Sequence, residues 1–181
     1  MKFMKLLFFS DVHGVPSRME LLLKQASTLA PDKLVFLGDA LYHGPRNGVP
    51  DFYDSKRTAD IFNAHRNDII AVRGNCDAEV DQMMLDFPIM ADFSQIFDGA
   101  RQFFLTHGHL WNEDNLPNVP EGSVLAHGHT HIPVLHKVNG ITVFNPGSIS
   151  LPKRNLPPTF GFYDGSALLH YDLISGERLE F

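Results

Sequence analysis

Cysteine is nearly absent from this chain, since Cys76 is the only one among 181 residues. A single cysteine excludes an intramolecular disulfide and leaves no thiolate set for a structural zinc site. The N-terminal apolar stretch is only Leu6–Phe9, and it runs into charged residues without the small-residue cleavage site of a signal peptide. Together these features predict a cytoplasmic protein of a reducing compartment.

Long apolar runs and basic runs are also missing. No window approaches the ~20 apolar residues that span a bilayer, and no stretch has more than two consecutive Lys or Arg residues. The net charge is −6 and the isoelectric point is about 5.9. We therefore expect neither membrane association nor stable nucleic-acid binding, both of which need a basic surface. A small anionic substrate remains compatible, because bound metal ions would offset the negative charge locally.

The composition is that of a globular protein, with 44% hydrophobic and 20% charged residues. No repeat or low-complexity segment is visible. Two long loops, 41–55 and 111–123, have apolar runs on both sides and so mark no domain boundary. We expect one domain over residues 1–181. Most of the 15 phenylalanines lie within apolar runs and are expected in the core.

Hydrophobic periodicity predicts an α/β protein. A possible capping box of Ser17 and Glu20 would start a first helix, and two further helices are expected at 58–66 and 78–85. The two Asn-Gly and Asp-Gly pairs at 139–140 and 164–165 are expected to form two-residue hairpin turns. The predicted strands are 3–9, 34–37, 69–72, 94–97, 102–106, 124–126, 134–138, 141–144, 160–163 and 168–173. This pattern favours two packed sheets with helices outside.

Polar residues follow many of the strands at the point where each one ends. Ligands of open α/β sheets bind at the carboxyl ends of strands, so these residues are expected to share one site. The segments are Asp11–His13, Gly38–Asp39, Gly74–Asp77, His107–His109, His127–His131 and Asn145–Ser148.

Histidine is concentrated at two of these strand ends. Five of the ten histidines fall in HGH (107–109) and HGHTH (127–131). Imidazole, carboxylate and amide ligands without thiolate favour Mn, Fe, Ni or Zn. Because residues i and i+2 of an extended segment face the same way, Asp11 and His13 can share one ion, and Asp39 can bridge to a second. A pair of ions suits the hydrolysis of a phosphoester.

The ordered set D-x-H, G-D, G-N-x-D, H-G-H and G-H-T-H, within residues 11–131, resembles the calcineurin-like metallophosphoesterase superfamily. The NPGS of the tail is similar to that of its small prokaryotic branch, the YfcE-type phosphodiesterases. The resemblance implies a two-sheet β-sandwich flanked by helices, a four-layer αββα fold, with two divalent ions per chain. Mn²⁺ is the ion that it favours, while Zn²⁺, Fe²⁺ and Ni²⁺ stay open. It implies two ligand sets: Asp11, His13, Asp39 and His131 for one ion, and Asp39, Asn75, His107 and His129 for the other.

The chain departs from that superfamily at Cys76, where most members have a histidine thought to protonate the leaving oxygen. A neutral thiol is a poorer proton donor than an imidazolium, so we expect good leaving groups to be preferred and monoesterase activity to be weak. Asn75, Cys76 and His109 are the candidate catalytic residues: the amide of Asn75 would address the phosphate, and His109 is a substitute acid or a group that holds a ligand. His43 is a second substitute acid. Cys76 as an inert buried residue stays an alternative.

Two classes of function remain open. The first is a metal-dependent phosphodiesterase that attacks small phosphodiesters with a hydroxide bridging two ions; a nucleotide phosphodiesterase is a variant of it. The second is a weak or inactive protein-interaction scaffold on the same fold. All seven ligand positions carry competent residues, which favours the enzyme. Exposed sheet edges favour a homo-oligomer, a dimer or tetramer.

Several further residues are expected to have no role in the site. His65, His136 and His170 are interpreted as structural or exposed, without acidic partners. The polar residues Arg46, Asn47, Lys153 and Arg154 are interpreted as solvated loop groups, with contact to a substrate phosphate as the alternative.

Overall fold

The computed structural model describes residues 3–181. Within them the chain forms three helices, α1 (Pro16–Leu29), α2 (Ser55–Ala64) and α3 (Glu79–Met84). The eleven strands are β1 (Leu6–Phe9), β2 (Lys33–Phe36), β3 (Ile69–Ala71), β4 (Phe93–Asp98), β5 (Arg101–Thr106), β6 (Val124–Ala126), β7 (Val134–Val138), β8 (Ile141–Asn145), β9 (Thr159–Tyr163), β10 (Leu168–Asp172) and β11 (Arg178–Leu179).

The strands form two mixed sheets. The six-stranded sheet has the order β11-β10-β9-β1-β2-β3, and the five-stranded sheet has the order β4-β5-β6-β8-β7. Strands β1, β2 and β3 are parallel to one another, as are β5, β6 and β8. Each sheet therefore has three neighbouring strands whose carboxyl ends lie at one edge.

A core of aromatic and aliphatic side chains lies between the sheets. Phe8 of β1 packs on Phe103 of β5 and edge-on against Phe144 of β8, with ring centroids 5.9 and 5.5 Å apart. Gly161 of β9 leaves room for Phe144, because a Cβ at this position would come within 2.3 Å of that ring. The two sheets are thus held face to face by interlocking rings.

The outer faces of the two sheets are covered differently. On the six-stranded sheet, Phe9 and Phe36 pack against Phe62 of α2, and α1 contributes Met19 and Leu22 to the same cluster. On the five-stranded sheet, within the described residues, the loop after β5 takes the place of a helical layer. Its apolar side chains Trp111, Leu116 and Val119 pack on Phe104, Leu125 and Ile141.

The predicted two-sheet sandwich flanked by helices is confirmed. Of the four expected αββα layers, the one outside the five-stranded sheet is formed by a loop in the described residues. The predicted capping box of Ser17 and Glu20 is wrong: the helix begins at Pro16, and Val15 at the N-cap makes no side-chain hydrogen bond. The proline ring supplies the helical φ at the first position without an N–H to satisfy. The second helix begins at Ser55, one turn before the predicted start, because the Asp54 side chain caps it by accepting from Arg57 N.

The two hairpin turns have different outcomes. Asn139-Gly140 joins β7 to β8 as a two-residue turn with φ of 49 and 79°. The two-residue turn predicted at 164–165 is wrong, since Tyr163 pairs with Leu168 and four residues lie between them. The Asp164 carboxylate accepts from Ser166 N and Ala167 N and so shapes a longer loop. The short strand β11 was not predicted.

No helix within residues 3–181 is long and apolar enough to cross a membrane.

Candidate metal centre

The ends of the parallel strands from both sheets meet at one place. Within the sheets, Asp11 N donates to Gly38 O at 3.0 Å and Gly128 N donates to His107 O at 2.8 Å. Between the sheets, His129 N donates to Asp11 Oδ2 at 3.1 Å. The sandwich therefore brings the predicted ligands from β1, β2 and β3 opposite those from β5 and β6.

The first group of candidate ligands surrounds Asp11. Its Oδ1 lies 3.3 Å from His131 Nε2 and 3.7 Å from His13 Nε2. The two imidazoles stack with their centroids 5.2 Å apart. These three side chains offer one carboxylate oxygen and two ring nitrogens close enough to hold a single cation.

The second group surrounds Asp39 and Asn75. Asn75 Oδ1 lies 3.0 Å from His107 Nε2 and 2.6 Å from His129 Nδ1. Asp39 Oδ2 lies 3.4 Å from His107 Nε2 and 3.7 Å from His13 Nε2. Asp39 thus stands between the two groups, where the sequence predicts a bridging carboxylate.

Backbone carbonyls orient three of the imidazoles. The Nδ1 atoms of His13, His107 and His131 lie 2.8, 2.6 and 2.6 Å from the carbonyl oxygens of Tyr42, Leu37 and Leu151, respectively. A ring that donates from Nδ1 presents the lone pair of Nε2, which is how metal-ligating histidines are held. All three Nε2 atoms face the carboxylates.

Two atoms of this cluster are buried without a hydrogen-bond partner among the described residues. They are Asp11 Oδ1 and His13 Nε2, and both side chains are at most 1% exposed. Leaving a buried polar atom unsatisfied is costly unless a ligand satisfies it. The cluster of oxygen and imidazole donors fits a divalent cation, which would bond to both atoms.

The electrostatics of the ion-free cluster depend on its carboxylates. Burial on its own would raise the pKa of Asp39 and lower that of His107. Their mutual hydrogen bond and opposite charges outweigh it, so the pKa of Asp39 falls and that of His107 rises to about 9. Burial likewise opposes the low pKa of Asp11, which results from the nearby charges of His131, His107 and His13. Burial and the charge on His107 lower the pKa of His129 to about 4. The carboxylates of Asp11 and Asp39 are thus stabilised by a nearby positive charge. In the absence of a metal ion, a protonated imidazole such as that of His107 provides it.

Backbone strain is concentrated among these residues. Left-handed φ values are rare for residues with a Cβ and cost about 1–2 kcal/mol each. They occur at Asp11, His13, Asp39, His129 and His131, with φ of 57, 50, 64, 67 and 61°. Close packing adds to this, since a Cβ at Gly74 would lie 2.1 Å from Asp39 Oδ1. The chain turns sharply after each strand so that these side chains converge.

Asp77 holds the backbone on either side of Asp39 and was not predicted to have a role. Its Oδ2 accepts from Asp39 N at 2.9 Å and Gly74 N at 2.7 Å, and its Oδ1 accepts from Ala40 N at 2.8 Å. Burial and the nearby charge of Asp39 raise the pKa of Asp77 to about 6, against the lowering effect of these N–H donors. Asp77 is the last residue of the G-N-x-D motif, which was the available signal.

Cys76 and His109 lie on different sides of the cluster. Cys76 N donates to Asp39 Oδ1 at 2.8 Å, and its half-buried thiol accepts from Asn75 Nδ2 at 3.2 Å. Burial, with Asp39 next to it, raises the pKa of the thiol to about 12. The His109 ring lies 5.5 Å from that of His107 and 6.2 Å from that of His129, centroid to centroid. His43 packs between Tyr42 and Tyr53, at 4.8 and 5.5 Å.

The remaining histidines have structural surroundings. His127 is buried behind the cluster, and Asn145 Nδ2 lies 3.4 Å from its Nδ1. Buried His170 lies with its Nε2 2.7 Å from Asn145 O. The interpretation of His136 as lacking an acidic partner is wrong, because its Nε2 lies 2.7 Å from Glu113 Oε2. That carboxylate belongs to the loop over the outer face of the five-stranded sheet, a contact far apart in sequence.

An open cleft of about 560 Å³ leads to the cluster. Asp39, Asn75, Cys76, His129 and His131 lie on its floor and walls. Its lining also includes the four loop residues for which contact with a substrate phosphate was the alternative interpretation: Arg46, Asn47, Lys153 and Arg154.

Comparison with known proteins gives a consistent family. Residues 4–167 match the calcineurin-like phosphoesterase superfamily domain. Phosphodiesterase YfcE of Escherichia coli strain K12 is 46% identical over 165 residues, which cover 91% of this chain and 90% of that protein. The solved structure of E. coli YfcE, a phosphoesterase, superposes with a TM-score of 0.95 at 42% identity and covers 98% of this chain and 97% of that one.

A more distant structure shares the fold alone. Vps29 of Chaetomium thermophilum superposes with a TM-score of 0.62 at 17% identity, covering 97% of this chain and 94% of that one. The match over residues 4–167 and the similarity to YfcE lead to one conclusion: this chain belongs to the calcineurin-like phosphoesterase superfamily.

Proposed function

We propose that this protein is a metal-dependent phosphodiesterase that hydrolyses small phosphodiesters with two divalent ions, Mn²⁺ by preference. The observation that carries the proposal is the buried cluster in which Asp11 Oδ1 and His13 Nε2 lack any hydrogen-bond partner within residues 3–181. The similarity to proteins named phosphodiesterase supports the same reaction.

The ligands fall into the two sets that the resemblance implies. Asp11, His13 and His131 would hold one ion, Asn75, His107 and His129 the other, and Asp39 would contact both. Two bound ions would activate a bridging water molecule as the nucleophile and offset the charge that builds up on the phosphoryl group.

The chain's own residues would orient the substrate and handle the proton. If His107 and His129 bound metal, Asn75 would no longer accept a hydrogen bond from either ring. Its Oδ1 would then be free to bind an ion, and its amide N–H could donate to a phosphate oxygen. The thiol of Cys76 lines the cleft beside Asn75, and its high pKa makes it a weak proton donor. We therefore infer that diesters with good leaving groups are preferred. We infer that His109, which does not line the cleft, contributes by packing beside the rings of His107 and His129.

The test compares metal content and hydrolysis in matched variants. Purified protein is assayed by mass spectrometry for bound metal, and with bis(p-nitrophenyl) phosphate in the presence and absence of Mn²⁺. Asp39→Asn removes the central carboxylate charge with little change in shape. Asp60→Asn is the control, because Asp60 is an exposed residue of α2 whose side chain is 68% accessible.

We expect hydrolysis that requires Mn²⁺, falls by at least about 10³-fold in Asp39→Asn, and is unchanged in Asp60→Asn. Protein that binds metal but hydrolyses no diester would favour the scaffold alternative. Protein that binds no divalent ion would overturn the proposal.

A further inference from the structure

Two loops contribute cationic side chains to the lining of the cleft. Arg46 lies in the loop after β2, and Lys153 and Arg154 lie in the loop after β8. Within residues 3–181 none of these three cations has an ion pair or a side-chain hydrogen bond. In a chain of net charge −6, cations that line a cleft without a carboxylate partner are available to an anion.

Both loops are fastened to the candidate metal ligands. Tyr42 O, before Arg46, lies 2.8 Å from His13 Nδ1, and Leu151 O, before Lys153, lies 2.6 Å from His131 Nδ1. Lys153 N in turn donates to His131 O at 3.3 Å. Because His13 and His131 stack on each other, the backbones of the two loops that carry the cations have positions set relative to the centre.

The conformation of the second loop is itself strained. Arg154 and Asn155 have consecutive left-handed φ values of 57 and 58°. Residues other than glycine rarely adopt a left-handed backbone conformation unless the surrounding structure enforces it. Such backbone strain is typical of ligand-binding segments. The loop therefore holds Arg154 in place at a conformational cost.

The reacting phosphate would not need these cations. Ions in the centre would neutralise the phosphoryl group under attack. Apart from Asp39, the residues that line the cleft include no carboxylate, and its volume of about 560 Å³ exceeds that of a simple phosphodiester group. Three further cations in the same cleft thus suit a second anionic group on the substrate.

We propose that the preferred substrate is a phosphodiester that carries a second phosphate, bound by Arg46, Lys153 and Arg154 while the centre cleaves the ester. This inference rests on the proposed function, which it makes more specific. Guanidinium groups bind phosphate through paired, charge-assisted hydrogen bonds, so two arginines and a lysine form a suitable set.

The test uses two probes with one leaving group. Thymidine 5′-(p-nitrophenyl phosphate) and its 3′-phosphorylated counterpart differ only in the second phosphate, and both release p-nitrophenolate. We expect kcat/KM to be about tenfold higher for the 3′-phosphorylated probe, and this ratio to fall as salt is raised. The double variant Arg46→Gln/Arg154→Gln should bring the ratio close to one. Lys24→Gln, an exposed lysine on α1, should keep it.

A second readout does not depend on turnover. Calorimetry in the absence of divalent metal compares thymidine 3′,5′-bisphosphate with thymidine 5′-monophosphate, and we expect about tenfold tighter binding of the bisphosphate by wild type but not by the double variant. Equal kcat/KM values for the two probes, with wild-type hydrolysis intact, would overturn this inference alone. Failure to hydrolyse either probe, or bis(p-nitrophenyl) phosphate, would overturn the proposed function.

Discussion

Cys76 lies at the position from which a side chain would donate a proton to the leaving oxygen. Its backbone N–H bonds to Asp39 and its thiol lies on the cleft beside Asn75. Gly44 packs against it, since a Cβ there would come within 2.9 Å of the sulfur. The position of the thiol is therefore fixed. A histidine side chain, which is larger and a better proton donor, would fit there only if the loop that contains Gly44 moved.

Replacement of Cys76 by His should change the leaving-group dependence of the reaction. An imidazolium donates a proton to an alkoxide more readily than a thiol whose pKa is raised to about 12. We expect Cys76→His to raise kcat for poor leaving groups by about tenfold or more and to change aryl diesters little. Rates on alkyl diesters that stay unchanged or fall, with metal content intact, would contradict this role for Cys76.

Asp77 should matter for both stability and metal binding. It accepts three buried backbone N–H donors, so Asp77→Asn would turn an amide toward at least one of them. We expect the free energy of unfolding to fall by about 3 kcal/mol and Mn²⁺ affinity to weaken. Urea denaturation and metal titration measure both effects.

Asp164→Asn is the matched control for Asp77→Asn. Asp164 accepts two backbone N–H donors in an exposed turn, where water can replace a lost bond. An equal loss of stability in the two variants would show that burial of Asp77 is not what makes its hydrogen bonds important.

The sequence predicted which carboxylates and imidazoles lie together, since they followed strands that otherwise resembled core; their binding of metal stays a prediction. The spacing of His127, His129 and His131 did not by itself set His127 apart from the other two; the family resemblance did. The left-handed φ values at His129 and His131 break the simple alternation of an extended chain, so local spacing was an incomplete guide. Asp77 was given no role, because the G-N-x-D motif that it ends does not show that its carboxylate binds backbone N–H groups.

At the scale of elements, the strand ends are packed as closely as glycine allows. Gly128, after β6, approaches the segment after β1: a Cβ would lie 1.9 Å from Ser10 Oγ and 2.9 Å from Asp11 Oδ2. These atoms belong to opposite sheets, so the glycine sets the separation of the sheets at the site.

Gly128→Ala should force the two strand ends apart. We expect it to lower the free energy of unfolding by about 2 kcal/mol and to weaken Mn²⁺ binding, because Asp11 moves with its segment. Gly48→Ala is the control, since a Cβ there meets nothing within 4 Å. Unaltered metal affinity in Gly128→Ala would mean that the site tolerates a change in sheet separation.

Element types were more predictable than element ends. Buried strands and amphipathic helices have strong periodicity, whereas the start of α1 depended on Pro16 and that of α2 on the Asp54 cap. The turn at 164–165 failed because the Asp164 side chain stabilised a longer loop. Such short-range competition is decided by single hydrogen bonds, which composition does not reveal.

At the scale of the molecule, segments from both ends of the chain lie in one sheet. Strand β1 pairs with β2 on one side and with β9 on the other. The sheet thus joins strands from residues 6–71 with strands from residues 159–179, and the single domain over residues 1–181 stays a prediction. The cytoplasmic location and the homo-oligomer stay predictions; the sheets end in edge strands β3, β4, β7 and β11, which an oligomer would cover.

The stability of the whole molecule should depend on pH through buried His170. Burial lowers the pKa of His170 below its ordinary value of 6.5, although its hydrogen bond to Asn145 O opposes this. As the pH falls below about 6.5, His170 becomes protonated in the unfolded chain but stays neutral in the folded protein. The free energy of unfolding therefore decreases toward low pH.

Urea denaturation between pH 7.5 and 5 tests this contribution of His170. The decrease in stability toward low pH should be smaller in His170→Gln than in wild type, because the glutamine takes up no proton. An identical pH dependence in the two proteins would exclude His170 as a contributor.

The loop over the outer face of the five-stranded sheet contains the sole tryptophan of the sequence. Trp111 packs edge-on against Phe93 and Phe104, at 5.7 and 5.5 Å between centroids. Its neighbour Asn112 donates from Nδ2 to Gly108 O at 3.0 Å, between His107 and His109. Fluorescence excited at the indole therefore comes from one position, which is connected through a single hydrogen bond to the ends of the ligand-bearing strands. We therefore expect the fluorescence of Trp111 to change when a divalent ion is added to the candidate metal centre.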